Sequence, residues 1–298
     1  MRKQKRKQRE RLSTRPRWGV KLMLVISALM WVSTSASVAR ADSEEPKERF
    51  VPWFQERVSI QGGGWFNFPD TDMSINPAVG PKQRLDFESD LGLDDFNLVP
   101  WVRASLRFFN RNRIILEYSE SNRSGKRVLA EDIDINGDGT PIPGGVDTRS
   151  FYDLRYIRTA YAFSVIKRER LELAITAGVH FLDIELGISA AAAGRETVDD
   201  ETDFSAPLPN VGMEGGWALN DRVAFNRGFS WLQVSTGGLG GGIWTGGLGV
   251  GVNIFRNFAV GLRYQFLELN ADKKKGSGTK IAVNDFSHGP VIFGALRF

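Results

Sequence analysis

Two histidines, no cysteine, and arginines and carboxylates at alternating positions are the residues of this 298-residue chain that can do chemistry. Without cysteine there is no thiol nucleophile, thiolate metal site or disulfide. His180 shares an alternating face with Glu172, Thr176 and Gly178. No Ser or Asp stands beside it, so it reads as an interior histidine. His288 follows Ser287 on an apolar face, again without a third group to orient it. Residues 132–139 (DIDINGDG) begin like a calcium loop, but the twelfth position is Pro143 where an EF-hand needs Glu. The glycines of 237–242 are not followed by Lys-Ser/Thr and make no phosphate loop. No catalytic residue, metal or cofactor is assigned on these grounds. The strongest set is Arg103, Arg107, Glu117, Asp153, Arg155, Glu172, Glu214 and Arg263, all placed by parity on the non-apolar faces of strands. Enclosed ions must pair, so this spacing predicts a structural charge network in an interior.

The elements that must position these charges are strands. Period-2 alternation dominates from residue 57 onward. In 96–108, Phe96, Leu98, Pro100, Val102, Ala104, Leu106 and Phe108 oppose Asn97, Arg103, Ser105 and Arg107. In 258–266, Phe258, Val260, Leu262, Tyr264 and Phe266 oppose Ala259, Gly261, Arg263 and Gln265. Ten such segments lie near 57–68, 96–109, 113–123, 151–165, 170–187, 207–219, 222–235, 243–255, 258–269 and 285–298. Merging or discarding two of them within 207–242 would leave eight. Four connections are tight, at 110–112, 166–169, 220–221 and 256–257. Long ones fill 69–95, 124–150, 188–206 and 270–284, with a Gly-rich link at 236–242. Short-long alternation is expected of an up-and-down antiparallel barrel in an outer membrane, with both chain ends on the periplasmic side.

Charge divides the chain. Residues 1–41 carry eleven bases against the single acid Glu10, and residues 42–298 have a net charge of −6. The basic stretch leads into the apolar run from Leu22 to Val32 and ends at Ala39-Arg40-Ala41. That is a secretory signal peptide cleaved after Ala41, not a nucleic-acid-binding arm. Residues 42–56 read as an acidic leader and 57–298 as the barrel domain. No apolar run reaches the length of a membrane helix.

Alternation does not say which face points outward. Three features place the apolar face on lipid. The opposite face is ionic. Aromatics cluster at both ends of the apolar faces, with Phe108, Trp217, Phe258 and Phe298 at the turn end and Phe66, Phe68, Phe96, Tyr152, Trp244, Tyr264 and Phe266 at the loop end. The chain closes on Ile292, Gly294, Leu296 and Phe298 at alternate positions. Strand 151–165 does not alternate cleanly: a bulge near Tyr156-Ile157 would switch its parity and keep Arg158 off lipid, and the alternative, Arg158 facing lipid at mid-depth, would cost ~2–4 kcal/mol.

The terminal aromatic resembles the signal read by the outer-membrane assembly machinery, with Phe298, Leu296 and Ile292 as its residues. Over 57–298 the chain is similar to the small bacterial outer-membrane barrels, the OmpA-like and OmpW-like group. The resemblance implies an all-β transmembrane barrel of a Gram-negative cell envelope. Its partners would be outer-membrane lipid, lipopolysaccharide and the assembly machinery. The function expected is non-enzymatic, with a lumen plugged by paired charges and external loops for surface interaction or envelope integrity. The alternatives are a narrow, porin-like channel for small hydrophilic solutes and a lipid- or peptide-modifying enzyme.

Overall fold

The computed structural model describes residues 50–77, 81–133, 142–191, 198–236, 239–274 and 278–298, and only the backbone of 190–191, 198–206, 234–236, 239 and 273–274. The segment expected to be a signal peptide, with its expected cleavage site, and residues 134–141 of the calcium-like stretch lie outside the described residues. So do the side chains of Asp199-Asp200-Glu201 and Lys273-Lys274-Lys275.

The strands are β1 (Val58–Asn76), β2 (Gln83–Asp86), β3 (Asn97–Phe108), β4 (Asn112–Val128), β5 (Asp147–Lys167), β6 (Leu171–Ala191), β7 (Val198–Ala218), β8 (Val223–Thr236), β9 (Leu239–Phe255), β10 (Phe258–Lys274) and β11 (Lys280–Arg297). From β3 to β11 each pairs antiparallel with the next. β1 lies between β3 and β11, from Ser59↔Arg297 to Asn76↔Lys280, and closes a ten-stranded up-and-down barrel. At the seam the Phe298 N–H donates to the Val58 carbonyl at 2.9 Å, and the Val58 N–H donates back at 3.0 Å. β2 is a short arm on the far half of β1. All ten segments read from the alternation are barrel strands. β7 and β8 are separate, so the count of eight is excluded. The tight connections and the chain's described N- and C-terminal residues share one end, here the turn end; the other is the loop end.

Several strands continue past the alternating stretch into what the sequence offered as long connections. β5 begins at Asp147 and β7 at Val198. Along β6 and β10 both faces change character. Toward the turn end, apolar side chains point outward: Leu262 is 50% and Ile292 57% exposed. Charged groups there point inward. Toward the loop end the order inverts. On β6 the outward face passes from Phe181 to Asp183 and Glu185, while the inward face passes from His180 to Leu182, Ile184 and Leu186. On β10 Phe266 gives way outside to Glu268, while Leu267 and Leu269 are buried inside. The lower part has the pattern of a wall against hydrocarbon, and the upper part that of a water-soluble barrel with an apolar core. From Phe298 up to Phe286 the outer face of β11 climbs twelve residues. At about 3.3 Å per residue and about 40° of tilt this is ~30 Å, enough for a ~25 Å apolar band.

The inversion corrects the reading of β5. Its register with β4 runs unbroken from Asn112↔Phe163 to Val128↔Asp147, with no parity switch near Tyr156-Ile157. The irregularity lies instead between Ser164 and Ile166. Tyr152, Leu154, Tyr156 and Arg158 all point inward, and Tyr152, expected in the outer girdle, is 1% exposed. Asp153 and Arg155 therefore stand on the outer face and not in the lumen. The strand has risen above the level at which the apolar side changes from outward to inward.

Candidate functional site

The lumen holds two tiers. In the turn-end tier, Glu214 on β7 accepts from Arg103 Nη2 at 2.7 Å, Arg113 Nη2 at 3.1 Å and Arg158 Nη1 at 3.1 Å. Glu117 on β4 meets Arg158 Nη1 at 3.0 Å, Arg103 Nη1 at 3.4 Å and Arg263 Nη1 at 4.0 Å. Glu172 on β6 takes Arg107 on both oxygens, each at 2.8 Å, and Lys167 Nζ at 3.4 Å. Strands far apart in sequence are thus tied across the interior. Guanidinium suits this task because its planar fork satisfies two carboxylate oxygens at once.

Residues 50–57 cross the turn end beneath this tier. The Val51 N–H donates to the Arg256 carbonyl at 2.9 Å. Arg297 donates to the Pro52 carbonyl at 2.9 Å and to Glu56 Oε2 at 3.0 Å, and its guanidinium lies 4.0 Å from the Trp53 ring centroid. Lys167 donates to the Phe54 carbonyl. Two inward glycines admit the rings. A Cβ at Gly251 would sit 2.9 Å from Trp53, and one at Gly216 only 2.4 Å from Phe54.

The loop-end tier is apolar. Leu154, Leu182, Ile184, Leu186, Leu267 and Leu269 belong to one buried cluster. Over it fold β2 and the residues that follow. Phe87 and Leu91 are fully buried, and Phe87 packs edge-on against Tyr152 at 5.8 Å. One cation is enclosed here. Arg123 pairs with Glu88, donates to Thr71 Oγ1 at 2.6 Å, lies 3.9 Å from Asp285 and stacks 4.9 Å from the Tyr152 centroid. Burial pushes the Glu88 carboxyl above the usual carboxylate range, against the pull of the Thr71 N–H and Arg123. Between the tiers lies a chamber of about 160 Å³ lined by Trp53, Trp65, Trp101, Tyr156 and Phe293 and by charges of the network.

Of the eight residues predicted for the network, the structure brings together Arg103, Arg107, Glu117, Glu172, Glu214 and Arg263. Arg155 is on the outer face, 39% exposed at its side chain, and pairs there with Asp183 at 2.8 Å and Glu120 at 3.8 Å. Asp153 stands beside it by parity. Arg113, Arg158 and Arg297 join the interior without having been in the predicted set. Trp53, Phe54 and Glu56 came from a stretch read as leader; the aromatic pair in an otherwise acidic segment was the available signal. His180 is 0% exposed, with Ser230 Oγ at 3.4 Å from Nε2 and the Tyr156 ring at 5.3 Å. His288 is on the outer aromatic belt, its Nδ1 2.8 Å from Tyr264 Oη. Asp70, Asp86 and Glu88 bring carboxylate oxygens within 4.8 Å of one another. Asp86 already accepts from the Ser89 N–H at 2.7 Å, and Glu88 is held by Thr71 and Arg123. Ile292, Leu296 and Phe298 lie on the outer face of β11 at the seam.

No family model matches the chain, and no curated protein sequence is significantly similar to it. Solved outer-membrane barrels share its fold. The outer membrane protease OmpT from Escherichia coli aligns over 85% of this chain and 100% of its own, with 11% identity and a TM-score of 0.52. OprG from Pseudomonas aeruginosa aligns over 81% and 96%, with 13% identity and a TM-score of 0.34. Ail of Yersinia pestis aligns over 79% and 97%, with 10% identity and a TM-score of 0.27. At such identities the likeness concerns fold alone, and the first of the three carries it. The chain has the fold of outer-membrane β-barrels, with no particular family singled out.

Proposed function

We propose that the chain is an integral outer-membrane protein whose barrel is a closed, non-enzymatic anchor. Its turn end faces the periplasm, and its loop end stands outside as a rigid, water-exposed sleeve for surface interaction or envelope integrity. The observation that supports it is the interior itself: residues 50–57 cross one end, an apolar cluster occupies the other, and shared ion pairs cross the middle. A barrel of this strand number has an interior that side chains fill, in line with such a reading. Export by the signal peptide, insertion guided by Phe298, Leu296 and Ile292, and contact with lipid and lipopolysaccharide complete it. Single-channel recording in planar bilayers tests it. The expected trace is flat apart from rare brief openings; steady, large, ion-selective steps would overturn it.

The second reading, a narrow solute channel, draws on the chamber and its arginines, and the same recording separates the two. An enzyme is the least supported reading. Among the described residues the two-histidine inventory offers one serine partner, Ser230 Oγ at 3.4 Å from His180 Nε2, and both side chains are buried.

A further inference from the structure

The chamber between the tiers is unbalanced in charge and in hydrogen bonding, and both imbalances have the same sign. Its lining includes the inward guanidinium groups of Arg103, Arg113, Arg158, Arg263 and Arg297, against the carboxylates of Glu56, Glu117, Glu172 and Glu214. Glu172 is shared between Arg107, Lys167 and Arg113, the last at 3.9 Å, so it brings more cations to the site than it balances. Arg263 is the least compensated. Its ion pair with Glu117 is 4.0 Å long, Asn226 Oδ1 accepts from it at 3.2 Å, and its other neighbours are the rings of Trp101 and Phe293, 5.2 and 6.0 Å from their centroids. Guanidinium does not shed its proton, so burial cannot neutralise it as it would a lysine. An enclosed ion without a partner costs several kcal/mol.

The hydrogen-bond inventory points the same way. Trp53 Nε1, Trp65 Nε1, Arg113 Nε and Arg158 Nε are buried N–H donors of chamber-lining residues with no acceptor among the described residues. Only one acceptor there, Gln61 Oε1, is in the same position. A small species that accepts from several sides and carries negative charge matches these donors and charges. A space of about 160 Å³ takes such a species with a few waters.

We infer that the lumen chamber is a binding site for a small singly charged anion of the halide or short-carboxylate class, held against Arg263. The anion is a structural counter-ion that completes the turn-end tier. This inference stands on the chamber's charges and donors and does not depend on whether the barrel conducts.

The test uses the intact barrel in non-ionic detergent at fixed ionic strength. Thermal unfolding is followed in chloride, bromide, acetate and gluconate, the last too bulky for the chamber. Crystals grown in bromide are examined for anomalous scattering. In the range above saturation, each tenfold rise in chloride, bromide or acetate should lift the midpoint by roughly 3–6 °C relative to gluconate. Bromide should appear in the chamber beside Arg263. Arg263→Gln should abolish the difference between salts, and Arg263→Lys should keep part of it. If Arg263→Gln does not fold, the wild-type salt series and the bromide position decide. Identical midpoints in all four salts would overturn the proposal. So would a chamber free of bromide, or an undiminished response in a folded Arg263→Gln protein. Bromide bound without any shift in midpoint is an adventitious ion only and counts against it.

Discussion

Glu214→Gln removes one charge and leaves the shape of the lumen almost unchanged. In the native protein Glu214 Oε2 accepts from Arg103 at 2.7 Å and Arg113 at 3.1 Å, and Oε1 accepts from Arg158 at 3.1 Å. All four side chains are at most 13% exposed, so solvent cannot replace the lost partner. Removing one member of a buried ion pair costs about 3–5 kcal/mol. The three contacts do not add to three times that, because Arg103 and Arg158 retain Glu117 and groups in one network are coupled. The expected loss is therefore ~3–5 kcal/mol, read as a shift of the urea midpoint for unfolding from lipid vesicles, followed by tryptophan fluorescence. Adding Arg158→Met should return part of the loss, since the double variant no longer encloses the extra cation. A change below ~1 kcal/mol for Glu214→Gln, or additive losses in the double variant, would refute the network as a cooperative structural unit.

Other perturbations separate parts of the account. Arg155→Ala breaks an exposed pair and should cost no more than ~1 kcal/mol in the same urea assay, whereas Arg103→Ala should cost several times as much. Trp53→Ala strips the ring from beneath Arg297 and should lower stability by about 2 kcal/mol, and on the proposed closed-barrel reading bilayer recordings should stay flat. The folded Glu88 carboxyl holds its proton to higher pH than an unfolded one, so folding takes up protons in the interval between the two values. Stability should fall as pH rises through that interval, just above the ordinary carboxylate range. Glu88→Gln should flatten that part of a midpoint-versus-pH curve, and an unchanged slope would count against the burial of Glu88. Arg227 lies on the outer face between Phe225 and Phe229. Arg227→Leu should leave stability unchanged or raise it by up to ~2 kcal/mol, checked by urea unfolding.

The sequence carried the barrel because period-2 alternation and the sorting of short and long connections are both local signals. Even 222–235, interrupted by Arg227-Gly228, is a strand, since a single outward arginine near the turn end can reach toward the interface. What alternation does not encode is the side of the wall on which an apolar face lies. Phe181 and Leu182 are both apolar, yet one points outward below the level of inversion and the other inward above it. Taking the apolar side as outward everywhere put Tyr152 in the girdle and Arg155 and Asp153 in the lumen. The network was legible where a strand crosses the lower level, as at Arg103, Glu117 and Glu214. It was missed at Arg113, which stands at a strand end, whereas Arg297 alternates with Phe298 and Leu296 and reads inward. The seals were hidden for another reason: residues 50–57 and 83–93 act through long-range packing, and neither segment shows a strong period of its own.

The central claim is that the outer face of the wall changes from apolar to polar along the strands, with hydrocarbon against its lower part and water against its upper part. The absence of cysteine from the chain makes single-cysteine spin labels clean reporters. Labels placed at 262 and 292, and at 155 and 268, can be compared in vesicles for relaxation by oxygen and by a water-soluble nickel complex. The account predicts oxygen-dominated relaxation at 262 and 292 and nickel-dominated relaxation at 155 and 268. Nickel reaching 262 and 292 as readily as 155 and 268 would contradict it.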